Sequence, residues 1–379
     1  MSPVLKVGFF VFVAALYSCS VDSEKPSFQD WSGEIKAGPY NPSQIKTAQL
    51  ISKPFKIDTV YRSMKGPVDE EEFYLADSGE VIWFTGYKVE VINETGEVLE
   101  DGFMCHNNLN LDSKRHFPWQ PQNFDYQNRV FTLTQGVTEI KLPEGYAIPI
   151  PGEQGLKIMY QALNHNYSSI DTTVHHRVTL EYFLASEIDF ELKPVFMQTL
   201  WLVKQYEGPE GNMGEEPTKN ANNVTSIDNE NYHPAQQPTC GVDMLANNKS
   251  LKGLDMYFDS FGRKYTGHWK IAPGIEDIQM NVTKMLNLSE KKKVVMAVGH
   301  VHPFCEKIGL IDEKNNDEIL TLTMQQADSG IGLNEIETFV PTTDIWLSPK
   351  SSYALSSTYN NTGSDTLSAM SVMYVYMEE

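Results

Sequence analysis

The sequence predicts an all-β protein built from two β-sandwich domains, and three observations carry that expectation. Short runs rich in Val, Ile, Tyr, Phe and Thr are separated by Gly, Pro and Asn turns. Apolar residues almost nowhere recur at helical spacing. The 379-residue chain is longer than one core usually serves, and from Tyr206 to Gln237 apolar residues nearly vanish, as expected of an insertion between or near the junction of two domains.

The elements follow in order. A single cation, Lys6, precedes an apolar run from Val7 to Leu16, too short to span a bilayer as a mature helix, and then Tyr17-Ser18-Cys19. Residues 1–18 therefore read as a bacterial signal peptide. Cys19 stands at the position where a lipoprotein cysteine is acylated, so the expected anchor is lipid in the outer membrane. Residues 19–50 would be a polar tether, 51–205 the first sandwich, 206–238 the insertion and 239–379 the second sandwich. Glu80–Ile92 and Glu97–Leu99, joined by Asn93-Glu94-Thr95-Gly96, predict a hairpin. Further strands are expected near 129–133, 156–165, 178–184, 195–203, 278–285, 294–302, 319–324 and 369–377.

With 30 Lys and Arg against 50 Asp and Glu, the formal charge is −20, which excludes nucleic acid as a partner class. The acidity is spread along the chain, as on a solvated surface. Setting Cys19 aside for lipid leaves Cys105, Cys240 and Cys305 in an oxidising compartment. The arithmetic gives one disulfide plus one thiol, or a thiol beside a metal, with the pair left open.

Three places offer chemistry. In Val294-Val295-Met296-Ala297-Val298-Gly299-His300-Val301-His302, residues two apart on a strand share a face, so His300 and His302 would project side by side and could coordinate one metal. In Met104-Cys105-His106-Asn107-Asn108-Leu109, His106 is a candidate ligand, Cys105 a soft one and Asn107 a poor one. His165 closes the run Leu156–His165, sharing a face with Met159, Gln161 and Leu163. His175, His176 and His268 read as surface or turn residues.

Taken in order, these segments resemble a known family. Leu142-Pro143-Glu144-Gly145, Gly152-Glu153-Gln154-Gly155 and Gln161-Ala162-Leu163-Asn164-His165 are similar to the Leu-Pro-x-Gly, Gly-Glu-x-Gly and Leu-Gln-Val-His motifs of the copper type II, ascorbate-dependent monooxygenases, the peptidylglycine α-hydroxylating type in particular. His106-Asn107-Asn108-Leu109 falls where that family has His-His-Met-Leu. Ile271-Ala272-Pro273-Gly274 matches Ile-Pro-Pro-Gly, Gly299-His300-Val301-His302 matches Val-His-Thr-His, and Ser364 to Tyr374 runs parallel to the family's last strand. The resemblance spans roughly Phe55 to Met377.

The resemblance implies two tandem jelly-roll β-sandwich domains. It implies one copper held by His106, His165 and the residue after His106, and a second held by His300, His302 and a methionine of the last strand. Ascorbate would be the reductant and a hydroxylated carbon the product. Several positions depart from the family. Asn107 replaces a histidine ligand, and the register gives Leu367 where the family has its methionine. Met370 would substitute only if a bulge turned it to the same face. Val298, Ala369 and Ser371 stand where the family binds a peptide carboxylate, so a C-terminal glycine peptide is not the expected substrate. The expectation is a copper monooxygenase acting on another small molecule. The alternative is a binding lipoprotein for a metal, peptide, glycan or protein on the same scaffold.

Overall fold

The computed structural model describes residues 36–63, 65–77, 79–111, 129–205, 256–258 and 264–378. The stretches expected to be a leader, the first part of a tether and an insertion, with Cys19 and Cys240, lie outside the described residues. Among the described residues no helix is long and apolar enough to cross a membrane.

Among the described residues, sixteen principal strands, with shorter ones beside them, form two eight-stranded units. The first comprises β1 (Lys46–Ile51), β2 (Val68–Phe73), β3 (Val81–Ile92), β4 (Met104–Leu111), β5 (Arg129–Thr134), β6 (Tyr146–Pro151), β7 (Leu156–Ala162) and β8 (Thr172–Leu184). The second comprises β9 (Lys193–Trp201), β10 (Gly274–Asn281), β11 (Lys292–Val301), β12 (Cys305–Asp312), β13 (Asp317–Gln326), β14 (Ile345–Leu347), β15 (Tyr353–Asn361) and β16 (Ser371–Glu378). Pairing runs from the outside inward in both: β1 with β8, β2 with β7, β3 with β6 and β4 with β5, then β9 with β16, β10 with β15, β11 with β14 and β12 with β13. That nesting is a long antiparallel ribbon wrapped about a core, and it makes each unit a jelly roll. The protein is two tandem jelly-roll sandwiches.

The two rolls share a sheet. β1-β8-β3-β6 continues into β9-β16-β11-β14 through a short parallel pairing of Lys193 and Pro194 with Tyr146 and Ala147. Pro149 and Pro151 have no N–H to give, which is consistent with the sharing stopping so early. The second layers are β2-β7-β4-β5 in the first roll and β10-β15-β12-β13, with Leu333–Ile336 at the edge, in the second. Between the layers β8 buries Val174, Val178 and Leu180 on alternate positions, as a strand with one core face must.

Several boundaries differ from the sequence reading. The first sandwich starts at Lys46, inside the stretch read as tether. β9, read within the first sandwich, is the first strand of the second roll, so the insertion interrupts the second roll after its opening strand. The predicted hairpin is present, closed by a bridge between Ile92 and Val98, with Asn93 Oδ1 accepting from the N–H of Thr95 and Glu97. The run read as a strand through His165 ends at Ala162, and the strand expected to reach Met285 gives way to a helical turn, Thr283–Leu286. β2 carries Asp69-Glu70-Glu71-Glu72 and shows no apolar alternation. It is an edge strand whose carboxylates are met by Lys157 on β7, and charge at an open edge discourages pairing with another chain.

Candidate metal centre

β4 lies in the interior of its sheet, between β7 and β5, and all eight of its residues are buried. Alternation sends Asn107 and Leu109 into the first roll's core and His106, Asn108 and Asn110 to the opposite face, toward the second roll. Asn107 accepts a hydrogen bond from the Tyr87 hydroxyl, and its amide lies 3.4 Å from His176 Nδ1. Its side chain is thus part of a polar chain inside the first roll and is turned away from His106. This corrects the reading of Asn107 as a neighbouring ligand. Cys105 is buried just before His106, at a shift of register between β4 and β7. Neither Cys105 nor Cys305 is in a disulfide, and burial pushes the Cys305 thiol far above its usual range, which makes it unreactive.

From the other side, β11 delivers His300 and His302. The His106 and His300 rings lie 6.3 Å apart between centres, His300 and His302 6.2 Å, and His302 and His268 5.6 Å. Four imidazoles from both rolls thus form a connected row at the seam. Their exposures are 0 % for His106, 1 % for His268, 2 % for His300 and 4 % for His302, so the pair on β11 is closed off rather than open to solvent as its strand-end position had suggested. His165 sits in the loop beyond β7, where its field reaches His302. The structure therefore groups His106 with His300, and no first site of His106 with His165 and Asn107 is assembled.

Each ring is held by identifiable structure. His302 Nδ1 donates to the Ser368 carbonyl at 3.1 Å, which fixes the tautomer and leaves Nε2, without a hydrogen-bond partner, as a lone pair. Both nitrogens of His106 are buried without a hydrogen-bond partner. His268 is set by a turn in which the Thr266 hydroxyl donates to its carbonyl and accepts from its N–H. Immediately after His302 the chain turns through Phe304 at φ +73°, a conformation costly for a side chain of that size, pinned by Gln326 through the Phe304 N–H and the Cys305 carbonyl.

Burial sets the electrostatics. It holds His302 at about 3 and His165 at about 4, and drives His106 and His300 well below the ordinary imidazole value, with the neighbouring rings adding to the effect on His300 and the Arg129 charge on His106. His106, His165, His300 and His302 are thus neutral near pH 7 and can offer lone pairs without losing a proton.

The last strand is interrupted where a thioether would be wanted. Leu367–Ala369 pairs with Trp269–Ile271, the ladder breaks at Met370, and β16 then pairs with β11. The break falls at Met370 itself. Its carbonyl accepts from the His302 N–H at 3.3 Å, and its side chain is buried. Leu367 is half-buried. Val298, Ala369 and Ser371 are all buried, Ser371 within a hydroxyl network with Ser357 and Tyr359, so no carboxylate pocket exists at those positions.

The donor chemistry fits copper or another imidazole-preferring ion. Two imidazoles sharing a metal have ring centres about 5–6 Å apart; the His268–His302 separation of 5.6 Å falls inside that range, and those of 6.2 and 6.3 Å lie just beyond it. Among the described residues no three His, Cys, Asp or Glu side chains are drawn in to ligand spacing. The rings are neighbours along the row, each near the next. Sequence reasoning missed His268, because a histidine before a short edge strand has no periodic signal, and it misread His176, which is fully buried against Phe55 and Tyr160.

Since Asn107 faces Tyr87 and His176, replacing it with His is expected to leave copper affinity unchanged. It should lower stability by about 1–3 kcal/mol through overpacking and a lost buried hydrogen bond. Copper titration and denaturant unfolding of N107H read both quantities, and a gain in affinity would contradict the orientation described.

No family model and no curated protein matches the chain. Solved structures give weak likenesses. A triple-jelly-roll turret protein of an archaeal virus has 8 % identity and TM-score 0.17, covering 86 % of this chain and 59 % of its own, so the chain spans little more than half of that protein. The nodavirus of Macrobrachium rosenbergii has 7 % identity and TM-score 0.17, covering 99 % and 98 %. The CUB1-EGF-CUB2 domains of rat MASP-1 have 7 % identity and TM-score 0.17, covering 87 % and 97 %. Assignment of the fold rests on the strand pairing above.

Proposed function

We propose that this protein binds copper at the seam of its two jelly rolls, through His300 and His302 with His106 and His268, and that it is a relative of the ascorbate-dependent copper monooxygenases. The observation that supports this most is the buried row of four imidazoles, in which His106 and His302 present nitrogens with no hydrogen-bond partner among the described residues. A buried polar nitrogen left unpaired costs about 1–3 kcal/mol, and four imidazoles gathered in one dry place are difficult to account for by packing alone. Met370, at the break beside His302, would add a thioether. Copper bound there would supply one-electron redox chemistry and a position for dioxygen, with ascorbate as reductant. The chain's own part is to hold His106, His300 and His302 neutral, fix the His302 tautomer through Ser368 and exclude water. We place the protein outside the cytoplasm, tethered to the outer membrane by a lipid on Cys19, on the strength of its leader sequence.

A second reading, metal binding without turnover, is favoured by the closure of the site and by the filled positions at Val298, Ala369 and Ser371. Copper-loaded protein given ascorbate and oxygen separates the two. Oxygen consumption above that of free copper, abolished in His302→Ala, supports the monooxygenase reading, and consumption equal to free copper removes it while leaving binding in place. His268 is the ligand that the family pattern does not name. His268→Ala is expected to lower copper affinity about tenfold or more, whereas His175→Ala, on the outer face of β8, should not. Equal affinity in the two variants would take His268 out of the site.

A further inference from the structure

The outward face of β4 continues past His106, and its neighbours on β5 make a second polar surface. Cross-strand pairing sets His106 opposite Thr134, Asn108 opposite Thr132, and Asn110 opposite Arg129, all on the face turned toward the second roll. Asn108 and Thr132 are 0 % and 2 % exposed, and neither the Asn108 amide nor the Thr132 hydroxyl has a hydrogen-bond partner. Arg129, 8 % exposed, reaches Asn110 through Nε at 3.2 Å and the Tyr374 hydroxyl through Nη1 at 3.4 Å, while Nη2 has no partner. Among the described residues no carboxylate pairs with it.

A buried guanidinium without a counter-ion is among the costliest arrangements a fold can keep, and here, among the described residues, it stands beside an amide and a hydroxyl that are also unanswered. Of the unpaired groups on this face, Arg129 Nη2 and Asn108 Nδ2 are donors and the Thr132 hydroxyl can act as one, with Asn108 Oδ1 the one acceptor among them. We propose that Arg129, Asn108 and Thr132 form a carboxylate-binding subsite at the seam, next to the imidazole row, for a small organic monocarboxylate. One cation sets the ligand charge at one. A guanidinium edge flanked by an amide N–H and a hydroxyl matches the planar acceptors of a carboxylate better than a dianionic phosphate, which would bring a second uncompensated charge into a dry seam. The Arg129 charge also reaches His106 and His300, so a molecule held here lies alongside the imidazoles. As a binding site the subsite stands without a metal. As the substrate class of the proposed oxidation it rests on the copper reading.

The test uses the full chain stripped of metal, with acetate as the probe and ionic strength held constant with chloride, so that failure of the copper reading leaves it intact. Acetate is expected to raise the thermal midpoint of the wild type and to bind about tenfold or more weakly to Arg129→Met. In acetate-free buffer Arg129→Met should melt above the wild type, because it removes an uncompensated buried charge, the opposite of what a purely structural arginine would do. Should that variant fail to fold, Thr132→Val, which keeps shape and charge, is expected to weaken acetate binding severalfold. Equal acetate response in wild type and Thr132→Val, or in wild type and Arg129→Met, would overturn the subsite. A stronger response to sulfate or chloride than to acetate would overturn the carboxylate assignment.

Discussion

Metal-free protein is expected to lose stability steeply as pH falls from 6.5 toward 4, a consequence of its buried histidines. Burial holds His176 and His302 at about 3 and His165 at about 4, and His106 and His300 are lowered as well, whereas the same residues in the unfolded chain titrate near 6.5. A histidine whose folded pKa lies below its unfolded one binds fewer protons in the fold. Its contribution is therefore fully present above 6.5, is lost as pH falls through the window, and levels out only below the folded value. Each such group costs about 1.4 kcal/mol per pH unit, and the five together reach roughly 7 kcal/mol one unit below 6.5, comparable to the whole stability of an ordinary domain. Asp101, whose carboxyl burial raises, works the other way but is one group against five. Denaturant midpoints between pH 7.5 and 5 read the slope. His176→Gln, in a ring position inside the first roll and outside the metal row, should flatten it by about one proton. A stability that does not change between pH 7.5 and 5 would contradict the burial described.

Removing imidazoles from β11 is expected to have the second large effect. Losing an outer partner of a ligand typically costs 10–100-fold in metal affinity, on the order of what an indirect contact supplies, so losing His300 and His302 together should exceed about a hundredfold. The Ser368 carbonyl that orients His302 would survive the change, as would the buried Val294–Val298 segment that fills the core below, so loss of binding should occur without loss of fold. Far-ultraviolet circular dichroism on the double alanine variant separates the two. Copper should also raise the midpoint of wild-type unfolding and leave that of the variant unchanged.

Much of the β architecture was legible because core strands alternate. Val81–Ile92, Arg129–Thr134 and Lys292–Val301 carry enough Val, Ile, Phe and Tyr to announce themselves, and Asn93-Glu94-Thr95-Gly96 announces its own turn. Val68–Phe73 was hidden, since an acidic edge strand offers no apolar period, and Met104–Leu111 was absent from the expected strands because both its faces are polar or mixed. The reason for the second is functional geometry: one face serves the first roll's core through Asn107 and the other serves the seam through His106. His300 and His302 could be paired from spacing alone. That His106 meets His300, and that His268 meets His302, depends on how two rolls share a sheet, which no local pattern records. The position of Lys193–Trp201 was misjudged for a related reason. Sequence proximity put it with the strands before it, while its long antiparallel partner, β16, lies at the far end of the chain.

The measurement that bears most directly on the central claim is copper binding read by electron paramagnetic resonance, on wild type and on a variant lacking His106, a residue of the first roll. The account predicts nitrogen couplings from at least three imidazoles in the wild type, with about one copper bound per chain at the seam and one imidazole fewer in His106→Ala. Two equivalents of copper in separate nitrogen environments would favour two sites over the single seam site. Copper bound equally, with unchanged nitrogen couplings, by the wild type and by a protein lacking His106, His300 and His302 would contradict the site altogether.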